Sequence, residues 1–237
     1  MFKKIHFTVV FCAGLMFQPA NAANVSITTG QADFLLDYTV DGSDGSFQDT
    51  FEYFNLGFTT RRGDYTFGIN LSGLLETTVQ EYFENTPDGR PFVDRDSISI
   101  FIGKPISDKL SLSGGYYTSE VTVSDTEYVG PDDTIETQAL FASLTFSDQL
   151  TDQLFYYSRL GAQINEAELT VHPDEEPELS QSLDGVAWLF GAGIVYPFTE
   201  TTSLTFGFEY KDFIYDGGLW DLNEDQTLYT IGYSFGF

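Results

Sequence analysis

The last eleven residues, Thr227-Leu-Tyr-Thr-Ile-Gly-Tyr-Ser-Phe-Gly-Phe237, constrain this chain more than any other stretch. Read with period two, one face carries Thr227, Tyr229, Ile231, Tyr233, Phe235 and Phe237, and the other Leu228, Thr230, Gly232, Ser234 and Gly236. Successive side chains of a strand point to opposite sides of its sheet, so one side here is aromatic and the other small and hydroxylic. A strand of a soluble sandwich also alternates, with its small polar face in water. A strand with lipid on one side and a wet lumen on the other has the same pattern. This stretch by itself admits both.

The N-terminus narrows the choice. Lys3 and Lys4 form a basic start, residues 5–17 an apolar core, and Gln18-Pro-Ala-Asn-Ala22 a small-residue exit. That is the layout of a secretory signal peptide, with cleavage expected after Ala22 or alternatively Ala23. Cys12, the only cysteine, leaves with the signal, so no disulfide scaffold holds the mature chain. An exported chain that ends in an aromatic strand resembles the Gram-negative outer-membrane β-barrels. The resemblance implies an outer-membrane location. It also implies that Tyr233, Phe235 and Phe237 form the signal read by the barrel assembly machinery.

Charge excludes one large class. The chain has 36 acidic and 10 basic residues; without Lys3 and Lys4 the mature balance is 36 minus 8, a net charge of −28. So acidic a chain, with no basic patch, repels nucleic acid. It also repels the phosphates of lipopolysaccharide unless divalent cations bridge the two, which makes outer-membrane lipid a partner through such cations.

Turn residues and period-two segments divide the mature chain into about ten strands, with eight as the alternative count. The first two are expected over residues 27–40 and 50–60, joined by Asp41-Gly-Ser-Asp-Gly-Ser. The third, residues 65–76, alternates most cleanly, and a loop over 77–96 separates it from a fourth at 97–103. Residues 186–196 are too short to span as a helix and fit a transmembrane strand. The last loop runs to Asp225. Connections alternate between four to six residues after even strands and ten to twenty after odd ones. Arg61, Arg62, Lys104 and Lys109 sit at the short turns and acidic residues crowd the long loops. The expected fold is an all-β, closed, antiparallel up-and-down transmembrane barrel over residues 23–237, with short periplasmic turns and long extracellular loops.

Chemistry is sparser. The ten-strand count is similar to that of the omptin proteases, whose sites combine an Asp-His dyad with an acidic pair near the outer rim. His172-Pro-Asp174 and Asp132-Asp133 are the nearest counterparts, in reversed order and in loops, so no catalytic residue is assigned. Asp221, Asn223 and Asp225 have the 1, 3, 5 spacing of a calcium loop, but Gln226 stands where its glycine belongs; no metal or cofactor is expected. If the apolar residues of the first strand face lipid, Asp33 and Asp37 face the lumen, together with Arg159, Glu209 and Lys211. Three acids against two bases then suggest a porin-like or structural barrel with a narrow, cation-favouring lumen. The alternative is an adhesin or receptor-type surface protein acting through its loops; an omptin-like or lipid A-modifying enzyme ranks third.

Overall fold

A computed structural model describes residues 22–40, 43–78, 91–125, 133–172, 179–217 and 220–237. Residues 1–21 of the expected signal peptide, Asp132, Pro173 and Asp174 lie outside the described residues. Ten antiparallel strands follow in order: β1 (Ala22–Val40), β2 (Ser43–Arg62), β3 (Tyr65–Thr78), β4 (Pro91–Pro105) and β5 (Leu110–Asp125), then β6 (Asp133–Thr151), β7 (Leu154–Val171), β8 (Leu179–Pro197), β9 (Thr202–Asp216) and β10 (Trp220–Gly236). Each pairs with the next, and β10 pairs with β1 from Asn24↔Gly236 to Val40↔Trp220. At the seam, Ala23 and Phe237 exchange backbone hydrogen bonds of 3.1 and 2.9 Å. The sheet has no edge, as a β-structure in lipid requires.

Short turns lie at one end of the barrel. Gly63, with φ of 59°, turns β2 into β3, and the Arg61 guanidinium donates to its carbonyl at 3.2 Å. Lys109 in the β4–β5 turn pairs with Asp148 at 2.6 Å. At the opposite end the strands run further than the sequence suggests. The β1–β2 connection shrinks to residues 41–42, and the segments 77–96 and 217–225, expected as loops, are partly strand. Arg95 therefore lies within β4 and Glu224 within β10.

Length explains the difference. The 19 residues of β1 extend about 60 Å at about 3.3 Å per residue and, with a tilt of about 40°, rise about 45 Å. The apolar belt of an outer-membrane barrel is only about 25 Å tall. The strands leave the bilayer and continue into water, and there the hydrophobic pattern changes sides.

The change is visible residue by residue. On β10, Phe235, Tyr233, Ile231 and Tyr229 are exposed on the outside, but higher up Leu228 and Leu222 are buried inside while Asn223 and Asp221 are exposed. On β7, Leu160 and Ile164 face outward, followed by Glu166 and Glu168, while Ala167 and Leu169 take the interior. On β1, Ile27 is outside, but Ala32 and Phe34 are buried, so Gln31, Asp33 and Asp37 project outward. Gly30 marks the crossover: a β-carbon there would run into the carbonyl of Tyr229 on the neighbouring strand.

Two apolar clusters fill the barrel above this level. One joins Ala32, Phe34, Phe51, Leu74, Val121 and Leu228, with Phe34 edge-on to Phe51 at 6.0 Å. The other joins Ala167, Leu169, Leu183, Ala187, Phe213, Tyr215 and Leu222; Ile135 packs against both. This half of the barrel is stabilised like a water-soluble protein, by removal of apolar surface from water.

Phe51 and Phe54 lie on the same strand but on opposite sides of the wall, Phe51 at 1 % exposure and Phe54 at 39 %. Phe51→Ala is expected to lower the unfolding free energy by about 3–5 kcal/mol, the cost of a cavity in a packed core. Phe54→Ala, facing lipid, should cost clearly less. Urea unfolding of both variants in lipid vesicles checks this, and the reverse order would contradict the inward packing.

Candidate functional site

The lumen is built in three layers. The layer nearest the short turns is lined by small polar side chains that pair across strands: Asn70 donates to Ser99 at 3.2 Å, and Ser72–Ser97, Ser113–Ser143 and Ser203–Ser234 hydroxyls meet at 2.7, 2.7 and 2.6 Å. Alternation with an aromatic outer face places them inside. Phe101 and Tyr157 share this inner face, where glycines make room for their rings: a β-carbon on Gly68 would meet the Phe101 ring and one on Gly193 the Tyr157 ring.

The middle layer holds the charges. Lys211 Nζ donates to Glu209 Oε1 at 3.1 Å, and Arg159 Nη1 lies 3.6 Å from the other carboxylate oxygen. Arg159 Nε donates to the Ser143 hydroxyl at 3.1 Å, anchoring the guanidinium to β6. Higher up, Arg95 and Glu224 form an ion pair across the barrel. Arg95 Nη2 donates to the Tyr117 hydroxyl at 3.2 Å, and its guanidinium lies 5.6 Å from the centre of the Phe213 ring. Phe213 in turn stacks on Tyr215. The two apolar clusters close the third layer above.

Solvent reaches the charged layer unevenly. The side chains of Arg159, Glu209 and Lys211 are 33, 27 and 21 % exposed, whereas those of Arg95 and Glu224 are 6 and 8 % exposed. A buried ion pair is held by its partner and its hydrogen bonds, and removing one member leaves an uncompensated charge in a dry interior.

Arg159, Glu209 and Lys211 project into the lumen and meet one another there. Asp33 and Asp37 do not join them. Both are exposed on the outer wall, where Asp33 accepts a hydrogen bond from Thr50 at 2.8 Å and Asp37 stands opposite Asn223. Their expected inward placement assumed that the apolar side of β1 faces lipid along its whole length; above Gly30 that side is the core. Among the described residues the charged layer therefore holds three bases, Arg95, Arg159 and Lys211, against two acids, Glu209 and Glu224.

Arg95 and Glu224 were hidden by strand ends set too short. The signal for them is phase: Arg95 is two residues before Ser97 and Glu224 two before Gln226, so the alternation carried outward puts both inside. The calcium-like run Asp221, Asn223, Asp225 lies along the outer face of β10 rather than in a loop. His172 pairs with Asp133, which accepts its backbone N–H at 2.7 Å and lies 3.8 Å from ring Nδ1.

The outer wall above the apolar belt is acidic on most strands. Asp33, Glu52, Glu120, Glu136, Glu166 and Asp184 are exposed on β1, β2, β5, β6, β7 and β8 respectively. Among the described residues no lysine or arginine shares this level of the outer wall.

Residues 73–237 match the family of the OmpA-like transmembrane domain, a stretch that takes in β4 to β10 and the end of β3. No curated protein matches the chain in sequence. Among solved structures, the outer membrane protease OmpT from Escherichia coli superposes with a TM-score of 0.66 at 10 % identity, covering 92 % of this chain and 97 % of that one. Neisserial surface protein A has a TM-score of 0.42 at 12 % identity, covering 92 % and 99 %. The attachment invasion locus protein Ail of Yersinia pestis has 0.34 at 15 % identity, covering 91 % and 99 %. The likeness to OmpT is one of fold alone.

Glu224→Gln should destabilise the protein by about 3–5 kcal/mol, because Arg95 is then left buried without its counter-charge. Asp33→Asn, on the outer wall, should change stability by no more than about 0.5 kcal/mol. Denaturant unfolding of the two variants side by side checks both, and a larger loss for Asp33→Asn would contradict the assignment of faces.

Proposed function

We propose that this chain, which belongs to the OmpA-like transmembrane domain family, works as a closed, non-conducting barrel whose working surface is an acidic wall held above the bilayer. It is a protein of the Gram-negative outer membrane. The observation that carries the proposal is the filled upper lumen: two apolar clusters and the Arg95–Glu224 pair occupy the path that a solute would take. Barrels of few strands are filled by side chains, while water channels belong to much wider ones. A cation-favouring lumen is not adopted, because Asp33 and Asp37 stand on the outer wall and bases outnumber acids in the charged layer.

The acidic wall acts by binding. Its level, just beyond the aromatic belt, is that of the outer-leaflet headgroups, and lipopolysaccharide phosphates would meet its carboxylates through shared divalent cations. Tyr233, Phe235 and Phe237, exposed in a row on the closing strand, offer an aromatic edge to the assembly machinery.

Planar-bilayer recording of the refolded protein tests the closed lumen. The expected trace has no discrete conductance steps at physiological salt. Stable, reproducible steps from single insertions would overturn the proposal.

A further inference from the structure

We propose that the charged layer of the lumen is a binding site for a small anion, a single phosphate or carboxylate group, entered from the short-turn side. Only the direction of entry rests on the closed-lumen reading.

Charge is the first argument. A mature chain of net charge −28 places three of its eight basic side chains in this one layer, against two acids among the described residues, so the layer is positive while the outer wall is acidic. Lys211 and Arg159 share one carboxylate, that of Glu209, and Arg159 holds it at 3.6 Å. A charge of either sign acts more strongly here than in open water.

Unused donors are the second. Arg159 has five N–H groups, and its partners are the Ser143 hydroxyl and Glu209. Lys211 has three N–H bonds and pairs with Glu209. Polar groups shielded from bulk water are normally paired, so the unused N–H groups of Arg159 and Lys211 call for a further acceptor.

Room and access are the third. Glycine at 191 leaves space beside the pair: a β-carbon there would come no nearer than 3.5 Å to a neighbouring atom, with Arg159 at 3.6 Å and Glu209 at 3.8 Å. The exposed fractions of Arg159, Glu209 and Lys211 are exposure to the lumen, because all three point inward. Below them the walls carry small hydroxyl and amide side chains and the rings of Phe101 and Tyr157, laid against Gly68 and Gly193; above them Arg95 and Glu224 are sealed. An anion can reach Arg159 and Lys211 from the short-turn mouth and go no further.

Isothermal titration calorimetry with inorganic phosphate, on full-length mature protein refolded in phosphate-free lipid nanodiscs, tests the site. The wild type should bind saturably with one phosphate per barrel. Glu209→Gln, which removes the competing carboxylate, should bind at least tenfold tighter, and Arg159→Gln and Lys211→Met at least tenfold weaker; Asp33→Asn should bind like the wild type. Circular dichroism identifies any variant that fails to fold, and Glu209→Gln and Lys211→Met each test the site without Arg159→Gln. No saturable binding by either the wild type or Glu209→Gln would overturn the site, as would binding unchanged in Glu209→Gln and Lys211→Met. Phosphate binding in a barrel that shows conductance steps would keep the site and remove the closed lumen. A silent barrel that binds no phosphate would do the opposite.

Discussion

The backbone hydrogen bonds between β1 and β10 are the contact on which the rest of this protein depends. In hydrocarbon no water satisfies an open N–H or C=O, so a sheet can cross only if its first and last strands meet. The seam runs the length of both strands, from Asn24↔Gly236 to Val40↔Trp220. Closure fixes which side of every residue is inside, and with that, alternation decides the chemistry of the lumen and of the wall.

One strand then has to satisfy two solvents. Inside the bilayer its outer face is aromatic and its inner face is small and polar; above the bilayer the outer face is acidic and the inner face is apolar. The crossover leaves a boundary layer within the lumen, wet below and dry above, and the charged residues lie at that boundary. Burying Arg95 and Glu224 contributes little net stability, since desolvation offsets most of their attraction. What the pair supplies is specificity of closure: it fixes β4 against β10 across the barrel, and the apolar clusters pack above it. The closed-lumen proposal and the proposed anion site both follow from this layering.

The fold was legible in the sequence because its strongest signals lie within the bilayer. Tyr229, Ile231, Tyr233, Phe235 on β10 and Leu160, Ala162, Ile164 on β7 alternate with small or polar partners, and closure needs little else. The inward placement of Arg159, Glu209 and Lys211 was legible for the same reason, since Arg159 alternates with Leu160, Ala162 and Ile164, and Glu209 and Lys211 with Phe206, Phe208 and Tyr210. The upper barrel was not. Period two gives alternation but not which side is the core, and Ala32-Asp33-Phe34 reads equally well as lipid-facing or lumen-filling. The choice depends on where the strand leaves the membrane, which is set by tilt and by the neighbouring strand. Arg95 and Glu224 were missed for a related reason: acidic, turn-rich ends look like loops, whereas strands that run on into water are expected to carry acids on their outer face.

A hydrophobic pattern that changes sides along each strand leaves a signature that thiol labelling reads out. The mature chain lacks cysteine once Cys12 leaves with the expected signal, so single cysteines report without background. Asp33→Cys and Leu36→Cys variants, assembled in the outer membrane of intact cells, would be exposed to a bulky membrane-impermeant maleimide. Rapid labelling is expected at position 33 and protection at position 36, three residues along β1 and on the opposite face. Labelling at 36 with protection at 33 would show that the pattern does not change sides.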